Sequence, residues 1–356
     1  MKKIIRFIIK MILVLIIIFG GFLLYSTVTE YKPAEVENSV VLSRGENSLP
    51  ILPEFSVLTW NIGYASLGKE ADFFMDGGNQ SRAASKEVVE KHLKNIINRV
   101  QSYNADFIFI QEVDEKAFRS YSVPELDVFV GNFPDYSIDY VQNYAVFWVP
   151  LPLTHQMGGV KAGMITLSKS APLVSERYSL PGSYSWPTSI FQLDRCVIVN
   201  RYQMSEIGKE LVLVNIHLSA FDKGGFIRGQ QLDFLKTMML KEYNQGNYVI
   251  VGGDWNNIMT PDFSFGTYTT SEEDLWAYQQ LPSDWTPAGW EWGYDVTAPT
   301  NRSNEKPYVE GENFTTNIDA FIVSPNLEIE EVRGENLDFV DSDHNPVLIK
   351  VKAKKP

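Results

Sequence analysis

Cysteine is almost missing from this chain: Cys196 is the single one in 356 residues. No disulfide framework and no cysteine-based zinc site can form within one chain. Its surroundings, Cys196-Val-Ile-Val199, are apolar and read as those of a buried free thiol. Positive charge is also short, with 31 basic against 44 acidic residues and a formal net charge of -13. Such a surface repels phosphate backbones and disfavours charge-driven binding of nucleic acid. A nuclease is not excluded, because a local groove or a metal ion can reverse the sign near a site. Histidine is scarce, with four residues and no pair at the HxxxH spacing of a zinc helix. Internal repeats, low-complexity blocks and a recognisable serine elbow are lacking too. The rest is ordinary: 44% hydrophobic and 21% charged residues, in a length that allows one large domain or two average ones.

Long apolar runs occur once. Lys2, Lys3, Arg6 and Lys10 precede the run from Met11 to Tyr25, and Ile4 to Tyr25 can cross a hydrocarbon core of about 30 Å if the cations snorkel. Cations before the run and Glu30, Glu35 and Glu37 after it place the N-terminus in the cytoplasm and the remainder outside. A cleavable signal peptide is the competing reading, but Tyr25 to Glu30 offers a poor cleavage site. Residues 1–30 are therefore expected to be an N-terminal transmembrane anchor, or else a secretion signal. Residues 31–52, with Pro33, Pro50 and weak periodicity, are read as a linker lifting the domain off the membrane. The catalytic domain is expected over 53–352.

Short β-prone runs recur through that domain. Ser56–Trp60, Asp106–Ile110, Tyr144–Val149, Gly163–Leu167, Cys196–Tyr202, Leu211–Ile216, Tyr248–Val251 and Ile318–Val323 read as strands. Val89, Leu93, Ile96, Ile97 and Val100 recur at helical spacing and predict a helix over Ser81–Tyr103. Ile227, Leu232, Leu235 and Met239 predict another. Residues 260–314 break the rhythm with Trp276, Tyr278, Trp285, Trp290, Trp292 and Tyr294 among Pro, Gly and acids. A stretch that long inside a domain is usually functional, and aromatics can mark a membrane interface, a lid or plain core.

Polar residues of one chemical kind sit where these runs end or begin. They are Asn61, Glu112, His217, Asp254 with Asn256, and Asp319. Ser342-Asp343-His344-Asn345-Pro346 adds a further carboxylate and imidazole between the apolar runs Asn336–Val340 and Val347–Val351. Oxygen-rich ligands suit Mg²⁺, or Mn²⁺, rather than zinc. Attack on a phosphate ester builds charge on the entering and leaving oxygens. A metal and imidazole donors can stabilise that charge, and a carboxylate beside one imidazole fixes its tautomer. Singly, each residue could be a turn former or a satisfied core group.

The ordered set Thr59-Trp-Asn-Ile62, Gln111-Glu112, Asn215-Ile-His-Leu218, Gly253-Asp-Trp-Asn256, Asn317-Ile-Asp319 and Ser342–Pro346 resembles the endonuclease/exonuclease/phosphatase superfamily over about residues 54–352. That superfamily includes secreted deoxyribonucleases, apurinic endonucleases, bacterial sphingomyelinases and inositol-polyphosphate phosphatases. The resemblance implies a four-layer α/β sandwich, two mixed β-sheets face to face with helices outside. It also implies Glu112 as the main Mg²⁺ ligand, with Asn61 and Asp343 in or next to its shell. His344 would be the general base or a phosphate stabiliser, oriented by Asp319. Asp254 and Asn256 would position nucleophile and phosphate, and His217 would protonate the leaving oxygen or hold a phosphoryl oxygen.

Two departures stand out. Asn317 occupies a position where relatives often carry arginine, and the active-site tyrosine has three candidates, Tyr140, Tyr144 and Tyr184. Arg82, Arg195 and Tyr144 are carried as candidate phosphate contacts, while His92, on a polar helix face, and His155, in a proline-flanked loop, are given no role. The implied activity is a Mg-dependent phosphodiesterase outside the cytoplasm acting on a phospholipid or sphingolipid headgroup. A deoxyribonuclease, an inositol-phosphate phosphatase or a tethered non-catalytic binding module are the rivals. Beyond a phosphate-ester substrate and the membrane no partner is implied, and a monomer is the expectation.

Overall fold

The computed structural model describes residues 1–45, 51–204, 208–259 and 279–354. A single 27-residue helix, α1 (Lys2–Val28), precedes β1 (Val36–Asn38), β2 (Val40–Ser43) and β3 (Glu54–Asn61). Then come α2 (Lys86–Tyr103), β4 (Phe107–Ala117), α3 (Glu125–Asn132), β5 (Ser137–Val149), β6 (Gly158–Ser168) and β7 (Val174–Ser179). β8 (Cys196–Gln203), β9 (Glu210–His217), α4 (Phe226–Asn244) and β10 (Tyr248–Asp254) follow. Two small ladders pair β11 (Asn257–Ile258) with β12 (Gln279–Gln280), and β14 (Asn301–Arg302) with β15 (Thr315–Thr316). β13 (Glu291–Gly293), β16 (Asp319–Val323), β17 (Leu327–Gly334) and β18 (Val347–Ala353) complete the strands.

Two seven-stranded mixed sheets result, in the orders β17-β18-β3-β4-β6-β5-β2 and β1-β7-β8-β9-β10-β16-β13. β3 with β4 and β9 with β10 are parallel, and their other neighbours run antiparallel. Phe55, Val57, Phe107, Phe109 and Ile349 of the first sheet meet Leu211, Leu213, Ile250, Phe321 and Val323 of the second in the central layer. The intervening residues Leu58, Trp60, Ile108 and Ile110 face outward onto α2 and α3. Val212, Val214, Val249 and Val251 face outward onto Leu232, Leu235 and Met239 of α4. Strands covered on both faces are apolar throughout, which is why their sequences run without alternation. The architecture is the four-layer α/β sandwich.

Several local expectations shift. α2 starts at Lys86, because Ser85 caps it by accepting the Val88 N–H at 3.4 Å. His92 is buried rather than on a polar face: its Nδ1 lies 3.2 Å from the Ala65 carbonyl and its Nε2 3.1 Å from Glu70. The apolar run Asn336–Val340 is a turn, in which Asp338 and Phe339 have φ of 53° each. The described part of the expected linker, residues 31–45, is built into the sheets. β1 pairs with β7 and β2 with β5, so this short stretch adds an edge strand to each sheet. Ser39 between them reaches Asp139 at 3.1 Å and Ser175 at 2.7 Å. Trp276 and Tyr278 lie outside the described residues, but Trp285 and Trp290 are buried in the outer layer beside Trp255. Those two are core.

Candidate active site

The site forms where both sheets end on the same side. Strand register sets its first row: His217 pairs with Asp254 across the parallel β9–β10 ladder, and Asp254 with Asp319 across β10–β16. Gly253 permits this row, because a Cβ there would come within 2.1 Å of the Ile216 carbonyl oxygen and its φ is 138°. From the other sheet, Asn61 closes β3. Glu112 sits in a bulge of β4 with φ of 56°, between the paired Ile110 and Val113. β4 therefore does not stop at Glu112, as its sequence suggests. The bulge turns the carboxylate toward the cleft and the strand resumes to Ala117.

The Ser342–Pro346 loop completes the floor, and each tie has a purpose. Ser342 Oγ donates to the Asn61 carbonyl at 2.9 Å and accepts the His344 N–H at 3.1 Å. Trp60 Nε1 donates to the His344 carbonyl at 2.9 Å. Asn345 accepts the Leu337 N–H and donates to the Pro299 carbonyl. These bonds fix Asp343 and His344 without using their side chains.

His344 Nδ1 lies 2.8 Å from Asp319 Oδ2, and its Nε2 lies 3.8 Å from Asp254 Oδ2. Burial pushes its pKa down, but the carboxylates of Asp319, Asp254 and Asp343 outweigh that and hold it up at about 10. His217 shows the opposite. Burial, then the charges of Arg195 and His344, push its pKa well below the usual value. Its Nε2 is 3.7 Å from Glu112 and 3.5 Å from Asp254, and Nδ1 has no partner among the described residues. One imidazole is thus held cationic and the other neutral. Burial pushes Asp254 up to about 6, with Asp319 adding and His344 opposing. Burial first, and then Asp343, raise Glu112.

A carboxylate whose proton affinity is raised by burial and by a second carboxylate in the same cleft describes a place for a cation. Glu112 and Asp343 present oxygens, the donor chemistry of Mg²⁺ or Mn²⁺. Gly63 backs this pair, since a Cβ there would fall 2.7 Å from Asp343 Oδ1. Asn61 takes a supporting position. Its Oδ1 accepts the Gly63 N–H at 3.0 Å, while Nδ2 donates to Glu112 at 3.3 Å and Asp254 at 3.0 Å. Asp254, Asp319 and His344 also have ligand atoms within 4.8 Å of one another. An imidazole held protonated and bonded to Asp319 is a poor ligand, so the Glu112–Asp343 pair fits a hard cation better.

Asn256, with φ of 49°, donates from Nδ2 to the Leu218 carbonyl at 2.9 Å and lines the cleft. Tyr144 lines it too, its hydroxyl donating to the Phe191 carbonyl at 3.0 Å. Arg195 is there, reaching the His217 carbonyl at 3.4 Å. Arg82 is not: its guanidinium lies over the rings of Phe118 and Tyr121, at 4.9 Å and 5.7 Å. Tyr140 is buried under the first sheet, and Tyr184 donates to the Ala220 carbonyl. Asn317 bonds the Asp295 carbonyl and the Thr300 N–H, a structural role.

Sequence reasoning missed four cleft residues. Asn301 Nδ2 lies 3.0 Å from His344 Nε2, and Asn304 donates to Asp343 Oδ2 at 2.8 Å. Arg119 is ion-paired with Asp114 at 2.9 Å and stacks 3.6 Å from the centroid of the Tyr64 ring. Asn301 and Asn304 lie at the end of the aromatic stretch, where a cluster of asparagines was the available signal. Arg119 and Tyr64 carried none.

A four-layer sandwich whose paired sheet ends gather carboxylates, carboxamides and two imidazoles defines a metal-dependent phosphoesterase scaffold. The chain belongs to the endonuclease/exonuclease/phosphatase family, whose profile matches residues 58–344. Solved structures agree on the fold. An endonuclease/exonuclease/phosphatase from Beutenbergia cavernae is 15% identical with a TM-score of 0.55, covering 85% of this chain and 72% of its own. TDP2 from C. elegans is 16% identical with a TM-score of 0.53, covering 84% and 75%. An endonuclease/exonuclease/phosphatase from Bacteroides vulgatus is 16% identical with a TM-score of 0.51, covering 85% and 99%. No curated protein matches the sequence significantly.

Proposed function

We propose that the chain is a membrane-anchored, divalent-metal-dependent phosphodiesterase working outside the cytoplasm on a phospholipid or sphingolipid headgroup. The observation that carries the chemistry is the Asp319–His344 pair at 2.8 Å, facing Asp254 and His217 in the same cleft as Glu112 and Asp343. In hydrolysis, water adds to phosphorus, one P–O ester bond breaks, and the leaving oxygen takes up a proton. A cation held by Glu112 and Asp343 would supply Lewis-acid stabilisation of the phosphoryl charge. Asp319 fixes His344 as a cationic donor to a phosphoryl oxygen, which favours stabiliser over general base among its two expected roles. Asp254, with its raised pKa, is placed to accept the proton of the attacking water. Neutral His217 orients the same water or the leaving oxygen. Arg119 and Arg195 offer guanidinium contacts for phosphate.

Support for the setting comes from α1, which is long and apolar enough to cross a membrane and carries Lys2, Lys3, Arg6 and Lys10 in its N-terminal part. Its four cations belong to the anchor, so residues beyond it carry 27 basic against 44 acidic groups. That balance weighs against a polyanionic nucleic-acid substrate. D. rerio TDP2 complexed with single-strand DNA product shares the fold at 16% identity and a TM-score of 0.51, so duplex DNA belongs in the test as the rival substrate. The full chain in detergent should hydrolyse a bis-aryl phosphodiester with Mg²⁺ or Mn²⁺, and EDTA should stop it. Phosphatidylcholine and sphingomyelin should then be cleaved in preference to duplex DNA or inositol phosphates. Cleavage of DNA alone would replace the lipid reading with the nuclease one.

A further inference from the structure

The anchor does more in this fold than tether. Its C-terminal end packs on the domain: Phe22 stacks on Phe191 with centroids 6.0 Å apart, Tyr25 meets Phe147 edge-on at 4.7 Å, and Ser26 is buried. Trp186 Nε1 donates to Thr27 Oγ1 at 3.1 Å. With β1 beginning at Val36, the domain starts close to the helix end and abuts it. The catalytic cleft opens into a cavity of about 970 Å³, and one wall of that cavity is α1 itself. Leu15, Ile18, Phe19, Phe22 and Leu23 form that wall, at the three- and four-residue spacing of a single helix face. The lining also includes Leu151 and Leu153, which are 51% and 79% exposed, so their apolar side chains are presented rather than packed. At the cavity floor lie Glu112, Asp254, Asp343 and His344.

Leu15 to Leu23 spans about 12 Å along the helix axis, at about 1.5 Å per residue. Those residues belong to the apolar span, so this wall lies in the hydrocarbon if α1 spans a bilayer. Exposed leucines at the mouth of a cavity otherwise carry a cost in water, and an apolar partner removes it. We propose that α1 is one wall of the substrate site. The occupant is a bilayer-resident phosphodiester lipid of the leaflet on the domain side. Its chains lie between the Leu15–Leu23 face and the Leu151–Leu153 loop, and its phosphate lies at the catalytic floor. The lipid enters sideways without leaving the membrane. This inference rests on the phosphodiesterase reading above and adds the route and the second binding element.

The test uses the full chain reconstituted into phosphatidylcholine–sphingomyelin vesicles, with a soluble bis-aryl phosphodiester assayed alongside. Leu153→Asp and Phe22→Ala each remove one side of the apolar passage. The readout is the ratio of lipid to soluble-substrate turnover, in which general damage to the fold cancels. Losing one apolar contact on the lipid path should lower that ratio about tenfold for each variant. An unchanged ratio in both variants overturns the passage, even if the enzyme is active. Absence of metal-dependent turnover on either substrate in the unmodified chain overturns the phosphodiesterase reading instead, so the two failures are distinct. Cleavage of duplex DNA with no lipid turnover overturns the lipid occupant.

Discussion

The cleft and the tryptophan layer behind the second sheet both draw on residues 285–304, yet they follow opposite rules. In the layer three indoles are satisfied. Trp255 donates to the Ala320 carbonyl at 3.0 Å, Trp285 to the Leu232 carbonyl at 3.2 Å, and Trp292 to Thr286 at 2.8 Å. The rings meet edge-on or tilted, with Trp255 at 5.6 Å from Trp285 and 4.8 Å from Trp292. A few residues later the chain supplies Asn301 and Asn304 to the cleft, where satisfaction ends. His217 Nδ1, Asp319 Oδ1 and the carboxamide oxygens of Asn301 and Asn304 lack partners among the described residues, and Glu112 faces a like charge. Buried polar groups are normally paired, so unpaired ones in one cleft leave bonding that a ligand can complete. The layer holds the fold and the cleft strains it.

The largest test of that contrast is Glu112→Gln. Losing the carboxylate should lower metal-dependent hydrolysis of a bis-aryl phosphodiester by about 10³-fold or more. The same change should raise the unfolding midpoint in EDTA. A carboxylate whose folded pKa is raised opposes folding when ionised: stability is highest below its unfolded pKa and declines as pH rises through the folded value. A neutral amide removes that loss near neutral pH. Activity falling together with stability would place Glu112 in the structural class and break the comparison. On the other side, Trp285→Ala should destabilise by about 3–5 kcal/mol in denaturant unfolding, with turnover per folded molecule nearly kept. Lipid preference should not change with it, because Trp285 is 5% exposed and faces α4 rather than solvent.

How much of this was written in the sequence follows from the same contrast. Motifs at strand ends were legible because register converts spacing into adjacency: His217, Asp254 and Asp319 could be named before their strands were seen side by side. The central strands were legible because both faces are covered. Leu327–Gly334 was not, since a charged edge strand with Glu328, Glu330 and Glu331 shows no apolar run. The tryptophans were visible but their environment was not, because aromatic density is the same in sequence whether rings face lipid or α4. β1 and β2 were missed for a related reason. Three- and four-residue edge strands take their order from β7 and β5, not from their own pattern. Tyr64 and Arg119 were missed because nothing local marks two residues that meet only across the fold.

Within the cleft, a smaller effect separates orientation from chemistry. Asp319→Asn keeps the shape but loses the charge that holds His344 protonated and in one tautomer, and should cost about 10²-fold in kcat. Retention of full activity would leave His344 without its assigned orienter. The unfolding midpoint should move little compared with Trp285→Ala, which again sets the cleft apart from the layer.

The two arginines offered by the sequence give the finest discrimination. Arg195 is buried at the cleft, with Glu112 and Asp254 opposing the downward push of burial on its pKa. A guanidinium there should bind phosphate in ground and transition states alike, so Arg195→Ala should act on KM more than kcat, by about tenfold. Arg82 spends its charge on the faces of Phe118 and Tyr121 outside the cleft. Arg82→Ala should therefore leave kcat and KM within about twofold and remove only a cation–π contribution of about 0.5–1 kcal/mol from stability. If Arg82→Ala instead raised KM as Arg195→Ala does, the boundary of the phosphate site would have to extend to Phe118. The division between groups that bind and groups that pack would then run elsewhere.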